Sequence, residues 1–135
     1  MNRRRIAAFV VIVVIILGAY ALRGIHRSRR DSRVRFMQSQ LSSFTVALRM
    51  YACLSEEFPG RTYGDAVAAM LKEPVIAEAL RGMCSEPILN GRDVWGHTLV
   101  YSVSDDGQSA LIRSYGPNGR DDAGKADDIQ YIENP

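Results

Sequence analysis

The chain is poor in the side chains that most often carry catalysis. Its 135 residues include only two histidines, His26 and His97, and only two cysteines, Cys53 and Cys84. Neither histidine has a Glu or Cys at metal-ligand spacing, and no serine lies in a nucleophile-elbow context. The sequence therefore predicts no zinc site, no catalytic residue and no enzymatic activity, and we expect no small-molecule substrate.

The small net charge of +2 conceals a strong asymmetry along the chain. Residues 1–35 carry nine Arg against one Asp, a local charge of +8, whereas the remaining residues carry eight basic side chains against fourteen acids. Because this second part is acidic, the isoelectric point of about 8.7 is no sign of nucleic-acid binding, and we expect none. The basic part flanks an apolar segment, so its natural partner is a surface of anionic phospholipid headgroups.

That apolar segment runs from Ile6 to Leu22 and holds 17 residues without a charge. As a helix it would span about 25 Å, near the lower limit for crossing a bilayer, and Tyr20 with the flanking Arg residues can extend it at the interfaces. The alternative is a cleaved signal peptide with Ala19-Tyr20-Ala21 as its cleavage site. We expect a retained transmembrane helix, with a membrane anchor over residues 1–30 and a folded domain over residues 31–135.

The two cysteines leave two interpretations open. A disulfide between Cys53 and Cys84 would close a loop of about 30 residues and stabilise the fold by about 3 kcal/mol. Alternatively, both are small buried apolar residues, as free cysteines often are.

A periodic apolar pattern between Asp31 and Glu57 predicts a helix. The repeat consists of Val34, Met37, Leu41, Phe44, Leu48 and Tyr51, widened by Val46, Ala47 and Leu54. Two and a half heptads are short for a coiled coil, so we expect this face to pack on a sheet. Asp31 or Ser32 can cap the start of the helix, and Pro59-Gly60 ends it.

The rest of the chain predicts short helices followed by strands. Thr62-Tyr63-Gly64-Asp65 is typical of a helix start, and residues 75–83 form a second short helix. A hairpin follows, with strands over residues 98–103 and 109–115, and residues 129–132 add a terminal strand. The fold class is therefore α+β, with an N-terminal transmembrane helix continuing into a long helix that packs on a small antiparallel sheet.

An acidic loop lies between the last two predicted strands. It contains one Asn and four Asp, namely Asn118, Asp121, Asp122, Asp127 and Asp128. Oxygen ligands crowded on a loop that folds back on itself suit Ca²⁺, although no EF-hand spacing can be placed on them. The alternative is a solvated acidic turn that holds no ion.

Two motifs in the C-terminal half occur in a characteristic order. The first is Asp93-Val94-Trp95-Gly96, in which we expect Trp95 to fill the core between helix and sheet. The second comprises Ser114, Gly116, Pro117 and Gly119 and ends in Asp127-Asp128-Ile129. Together, over residues 34–132, these motifs resemble the major pseudopilin of type II secretion systems, within the type IV pilin-like superfamily.

The resemblance implies a calcium site in the acidic loop. In that family the ion is held by the Asp of a G-P-D-G turn, by the paired Asp before Ile, and by backbone carbonyls. Carried across, the ligands are Asn118, Asp127, Asp128, the carbonyl of Tyr115 and one near Lys125. Asn118 stands where the family has Asp, and Asp121 or Asp122 would restore the missing charge.

The resemblance also implies location and partners. It places a single-pass protein in the inner (cytoplasmic) membrane, with its domain facing the periplasm or the outside and other pseudopilins or secretion components as partners. The six Arg between Leu22 and Phe36 favour the opposite orientation by the positive-inside rule. We follow the resemblance, because calcium is abundant outside the cytoplasm.

The N-terminus departs from the family pattern. Pseudopilins carry a basic leader ending in Gly and a Glu near the start of the hydrophobic helix, whereas Arg5-Ile6-Ala7 has no preceding Gly and Ile6–Leu22 has no acid. We therefore expect a structural subunit with an atypical N-terminus that lacks the prepilin peptidase motif. The alternative is a membrane-tethered or secreted binding module that reuses the pseudopilin fold without filament assembly.

Overall fold

The computed structural model describes residues 3–134, with side chains for residues 12–134. In this part of the chain the order of elements is α1 (Arg3–Ser55), α2 (Tyr63–Met70), α3 (Pro74–Met83), α4 (Glu86–Leu89), β1 (Val100–Val103), β2 (Ala110–Ser114) and β3 (Ile129–Glu133). By its internal contacts the chain divides into two units, Met1–Val34 and Arg35–Pro135. The second unit packs a helix on a three-stranded antiparallel sheet, which confirms the α+β fold class.

The first unit is helical throughout its described residues. Its apolar side chains from Ile12 to Leu22 are exposed. None of the helices in the described part combines the length and the apolar character needed to cross a bilayer. The side chains of residues 6–11, which begin the predicted anchor, lie outside the described residues.

Helix α1 is continuous from Arg3 to Ser55, which confirms the prediction that the N-terminal helix continues into the long helix. Ser32 Oγ donates to the Ser28 carbonyl at 2.9 Å, one turn back, and does not cap a new helix, so the predicted start at Asp31 or Ser32 is wrong. The helix ends at Ser55, before the predicted stop at Pro59-Gly60. It ends there because Glu56 adopts a left-handed conformation (φ 63°), which favours helix termination.

The predicted apolar repeat forms the core of the second unit. Met37, Leu41, Phe44 and Leu48 are fully buried, whereas Tyr51 is half-buried. Of the residues expected to widen this face, Ala47 is buried, but Val46 and Leu54 are 45% and 68% exposed. Those two line an open apolar groove together with Val75 of α3.

The sheet has the order β1-β2-β3, with β2 in the middle, and its buried side chains include Tyr101, Ile112 and Ile129. The ring of Tyr63 stacks on Phe44 with centroids 5.1 Å apart and meets Tyr101 edge-on at 6.4 Å. These three rings join α1, α2 and β1. The N-terminus of α2 is capped as predicted, because Thr62 Oγ1 accepts the Asp65 N–H at 3.2 Å.

Polar contacts fix the edge strand β3 against α1. Arg49 donates Nε to Glu133 Oε2 at 2.9 Å and a terminal nitrogen to Oε1 at 2.7 Å. This two-pronged hydrogen bond, together with the carboxylate charge, raises the pKa of Arg49 and keeps the guanidinium charged. Tyr131 adds a hydrogen bond from its hydroxyl to the Gln38 carbonyl at 3.3 Å.

Both cysteines are free thiols in different surroundings. Cys84 is buried at the end of α3, and burial raises the pKa of its thiol to about 11. Cys53 is exposed on α1. The description as a small buried apolar residue therefore holds for Cys84 alone.

The difference between the two thiols predicts selective alkylation. In the folded chain at about pH 8, iodoacetamide should modify Cys53 and spare Cys84, because only the thiolate reacts and burial disfavours it. Intact-mass measurement should show one label per folded chain and two in denaturant. Cys53→Ser provides the control and should take up no label until it unfolds. A chain that stays unlabelled in denaturant until a reductant is added would instead contain the disulfide.

Candidate metal centre

The buried carboxylate of Asp93 joins the first sequence motif to the end of β2. Asp93 is 2% exposed. Its Oδ1 accepts the backbone N–H groups of Trp95 at 3.0 Å and His97 at 2.8 Å, and its Oδ2 accepts the Ser114 hydroxyl at 2.7 Å. Ser114 Oγ in turn accepts the N–H of Gly116 at 3.1 Å. The turn at residues 93–97 and the start of the acidic loop are therefore one hydrogen-bonded unit.

His97 lies against the first turn of the acidic loop, which we define as residues 115–128. Its Nδ1 is 3.1 Å from the Gly116 carbonyl and 3.5 Å from Asp93 Oδ2. Since both neighbours are acceptors, this arrangement requires the proton on Nδ1. A Cβ on Gly119, which has φ of +65°, would lie 2.7 Å from the ring at Nε2, so the ring and the loop backbone are in direct contact.

A second glycine lets the two ends of the loop touch. A Cβ on Gly116 would lie 2.1 Å from the carbonyl oxygen of Asp127, and the residue has φ of +65°. No other residue type fits this close approach. The loop therefore closes at Gly116 and Asp127, and this closure brings its acidic residues together.

Asn118 bridges two carboxylates across the closed loop. Its Nδ2 donates to Asp122 Oδ2 at 2.8 Å and to Asp127 Oδ1 at 2.6 Å, while its backbone N–H donates to Asp127 Oδ2 at 3.1 Å. Its Oδ1 accepts the N–H of Arg120 at 2.7 Å. Neighbouring carboxylates repel each other, and the amide hydrogens stand here between two of them.

Asp128 carries an oxygen whose bonding capacity is unused. Its Oδ2 accepts the N–H groups of Asp122 at 3.0 Å and Gly124 at 2.9 Å. Its Oδ1 is buried and has no hydrogen-bond partner among the described residues. A buried acceptor without a partner costs about 1–3 kcal/mol, more when it is charged. A cation at this oxygen would remove that cost.

The remaining predicted ligands lie at the rim of the loop. Asp121 faces Arg113, with Oδ1 3.3 Å from the guanidinium, and also accepts the Ala123 N–H at 2.9 Å. The carbonyl of Lys125 accepts the Asp128 N–H at 3.0 Å and keeps a second lone pair. The ring of Tyr115 lies 5.8 Å from the Arg113 guanidinium. The structure therefore groups Asn118 with Asp122 and Asp127, and pairs Asp121 with an arginine.

Two alanines in the loop adopt the left-handed conformation, Ala123 with φ of 56° and Ala126 with φ of 54°. For a residue with a Cβ this conformation costs about 1–2 kcal/mol. The hydrogen bonds around Asn118 and Asp128 must offset that cost. The loop is thus held by specific contacts and not by its backbone preference.

The donor set of the loop consists of oxygens, which suits Ca²⁺ and not zinc. Within the described residues, no three His, Cys, Asp or Glu side chains are grouped closely enough to hold a metal on their own. A calcium ion, however, also takes amide and backbone carbonyl oxygens. The residues fit such an ion only if Asn118 and loop carbonyls contribute.

Comparison with known families decides what kind of protein this is. The type II secretion system (T2SS) protein G family matches residues 25–132. The chain belongs to this family and is a pseudopilin. Searches of curated proteins and of solved structures gave no match.

The match confirms the resemblance that the two sequence motifs carried, and both lie within the matched residues. In this pseudopilin the motifs contact each other through Asp93 and Ser114. Pseudopilins are structural proteins, which is consistent with the expectation of no catalysis. Trp95 is half-buried and absent from the core, so the prediction that it fills the space between helix and sheet is wrong. The aromatic core there is built by Phe44, Tyr63 and Tyr101.

Sequence reasoning missed the positioning role of His97 and the pairing of Arg113 with Asp121. The spacing Asp93-x-Trp95-x-His97 carried a usable signal, because an Asp side chain commonly accepts backbone N–H groups two to four residues ahead. The contact of His97 with Gly116 spans 19 residues and left no local signal.

The buried contact between Ser114 and Asp93 yields a stability prediction. Ser114→Ala leaves Asp93 Oδ2 without its hydroxyl donor and should lower the free energy of unfolding by about 1–3 kcal/mol. Ser102→Ala, at an exposed position on β1, is the matched control and should change it by less than about 0.5 kcal/mol. Urea titration followed by circular dichroism measures both. Equal effects of the two substitutions would show that the buried contact contributes nothing.

Proposed function

We propose that this pseudopilin is a structural subunit of a type II secretion or related pilus-like assembly, and that calcium stabilises its acidic loop. The observation that carries the calcium proposal is the buried, unpartnered Oδ1 of Asp128, in a loop that brings Asn118, Asp122 and Asp127 together. An orphaned carboxylate oxygen in a loop that carries further oxygen ligands is an environment in which a hard cation is stabilising.

The residues that would hold the ion are Asp127, Asp128, Asn118 and Asp122, with backbone carbonyls of Tyr115 and Lys125. Asn118 would ligate through Oδ1, so its amide would have to turn over from the arrangement in which Nδ2 faces Asp122 and Asp127. A bound divalent cation supplies positive charge between carboxylates that otherwise repel one another. The protein's part is to hold the loop closed at Gly116 and to anchor its first turn on Asp93 through Ser114. The ion would thus act as a structural staple for the C-terminal part of the domain.

Asn118 limits how much stability a calcium ion can add to the loop. Its amide already bridges Asp122 and Asp127, so the loop is closed by protein contacts alone. Calcium would therefore replace the amide bridge in a loop that is already closed, and it would not create the closure. The increment follows RT ln(1 + [Ca²⁺]/Kd), which is about 2.7 kcal/mol at a hundredfold excess over Kd.

The assembly proposal includes location and partners. We place the protein in the inner membrane with its domain facing the periplasm, where it contacts other pseudopilin subunits or secretion components. The family match supports the pseudopilin partners. The proposed calcium site suits this orientation, because extracellular calcium modules commonly bind at about 10⁻⁴–10⁻³ M.

The calcium proposal predicts ion-dependent melting. Millimolar Ca²⁺ should raise the melting temperature of the wild-type domain by roughly ten degrees near saturation, and Mg²⁺ should do much less. Asp127→Ala and Asp128→Ala should each abolish the rise. Asn118→Asp should melt lower in chelator, because it loses the amide bridge and adds a charge, and should gain more from calcium than the wild type.

The matched control is Asp105→Asn, an exposed acid in the hairpin turn, which should keep the wild-type response to calcium. A wild-type melting temperature that is the same in chelator and in millimolar Ca²⁺ would refute the calcium site. The loop would then be a solvated turn held by Asn118.

The assembly proposal predicts that copies of the chain are neighbours in the membrane. Formaldehyde treatment of membranes should give a ladder of regularly spaced bands on denaturing gels, detected with an antibody against the domain. Treatment after solubilisation in detergent is the control and should give the monomer band. A monomer band alone in intact membranes would favour the binding-module interpretation over a filament subunit.

A further inference from the structure

The first unit carries a one-sided positive surface on helix α1. We define the basic face as Arg23, His26, Arg27, Arg29, Arg30 and Arg33, all of them exposed. At about 100° per residue these six positions fall within an arc of about 160° around the helix. The other five positions between 23 and 33 occupy the opposite side and carry no basic side chain; they are Gly24, Ile25, Ser28, Asp31 and Ser32. The next arginine on that side is Arg35, where the second unit begins.

An apolar segment immediately precedes the basic face on the same helix. Its side chains are exposed on all sides of the helix, with Val14 62%, Ile15 64% and Leu17 62% exposed. A helix that is apolar all round gains from an apolar surrounding on every side. An apolar segment suits the lipid chains of a bilayer, and a positive face that follows it directly suits the adjoining layer of anionic headgroups.

We propose that the basic face lies along a surface of anionic phospholipid headgroups. Positive charges close to such a surface each contribute to binding, and the attraction fades within a Debye length, about 8 Å at physiological salt. A helix with its side chains is about 10–12 Å across. Charges on its far side would therefore be screened, and only a one-sided arrangement keeps all of them within range.

The length of the basic face indicates contact along its side. From Arg23 to Arg33 the helix rises about 15 Å, whereas the headgroup layer of one leaflet is about 5–8 Å thick. A segment passing straight through that layer would place only its first turn or two among the headgroups. Headgroups would surround it on all sides, so a one-sided arrangement of its charges would bring no advantage. A segment that leans on the surface uses the whole face.

Other anionic partners would explain the basic face of the first unit but not its exposed apolar segment. A nucleic acid or an acidic protein surface would use the charges but would leave the adjoining apolar side chains of residues 12–22 exposed. A lipid surface accounts for both neighbouring features. The proposal concerns the first unit only and does not depend on the calcium loop.

A rearrangement that preserves composition tests the one-sidedness. In the full chain, Arg27→Ser with Ser28→Arg, together with Ser32→Arg and Arg33→Ser, moves two charges to the opposite side. Net charge, length and amino-acid content stay the same. Flotation with vesicles containing phosphatidylglycerol, compared with pure phosphatidylcholine vesicles, measures the preference for anionic lipid at low and high ionic strength.

We expect the wild type to prefer the anionic vesicles at low ionic strength and the rearranged chain to lose about tenfold of that preference. A control removes three charges from the second unit, with Arg61→Gln, Lys72→Gln and Arg81→Gln, and should keep the wild-type preference. Equal preference in the wild type and the rearranged chain would overturn the proposal. So would a wild-type chain that floats equally well with anionic and with pure phosphatidylcholine vesicles at low ionic strength, because the basic face would then serve a partner other than anionic lipid.

Discussion

The C-terminal half of this pseudopilin depends on one buried carboxylate. Asp93 is almost fully removed from water, and it receives two backbone N–H groups and one hydroxyl. Burying a charge is costly unless hydrogen bonds satisfy it, so these donors must keep their places once the fold has formed. Because one of them belongs to Ser114, at the end of the central strand, the carboxylate fixes where the chain leaves the sheet. This contact also fixes the direction in which the acidic loop begins, because Ser114 Oγ accepts the Gly116 N–H.

Periodicity and turn chemistry were sufficient to predict the architecture. Met37, Leu41, Phe44 and Leu48 recur at helical spacing and are fully buried, because a core face imposes this pattern on the sequence. The strands and the capped start of α2 followed from alternation and from Thr62. The ends of α1 did not, since the helix passes Ser32 and stops at a left-handed Glu56 that no residue preference signals.

The interior of the acidic loop was less accessible to sequence reasoning. The types of side chain indicated oxygen donors, but their pairing depends on a closure made through space. Ala123 and Ala126 adopt a conformation typical of glycine, and Asp121 turns to Arg113, which lies on a neighbouring strand. Cys53 and Cys84 could not be assigned either, because Cys84 is buried at the end of α3, where Gln40 of α1 bonds Met83 and Ser85, whereas Cys53 lies on an exposed side of α1. These features are all consequences of tertiary contacts.

Asn118 changes the kind of stability that the loop has. A third carboxylate at this position would face Asp122 and Asp127, and only a bound cation could hold the three together. The neutral amide donates to both carboxylates, so the closed loop exists before any ion arrives. What the amide cannot satisfy is the buried Oδ1 of Asp128, which no donor in the loop reaches. Internal hydrogen bonds from Asn118 therefore fix the shape of the loop without an ion. The Oδ1 of Asp128 remains without a hydrogen-bond donor, and a cation could bind there.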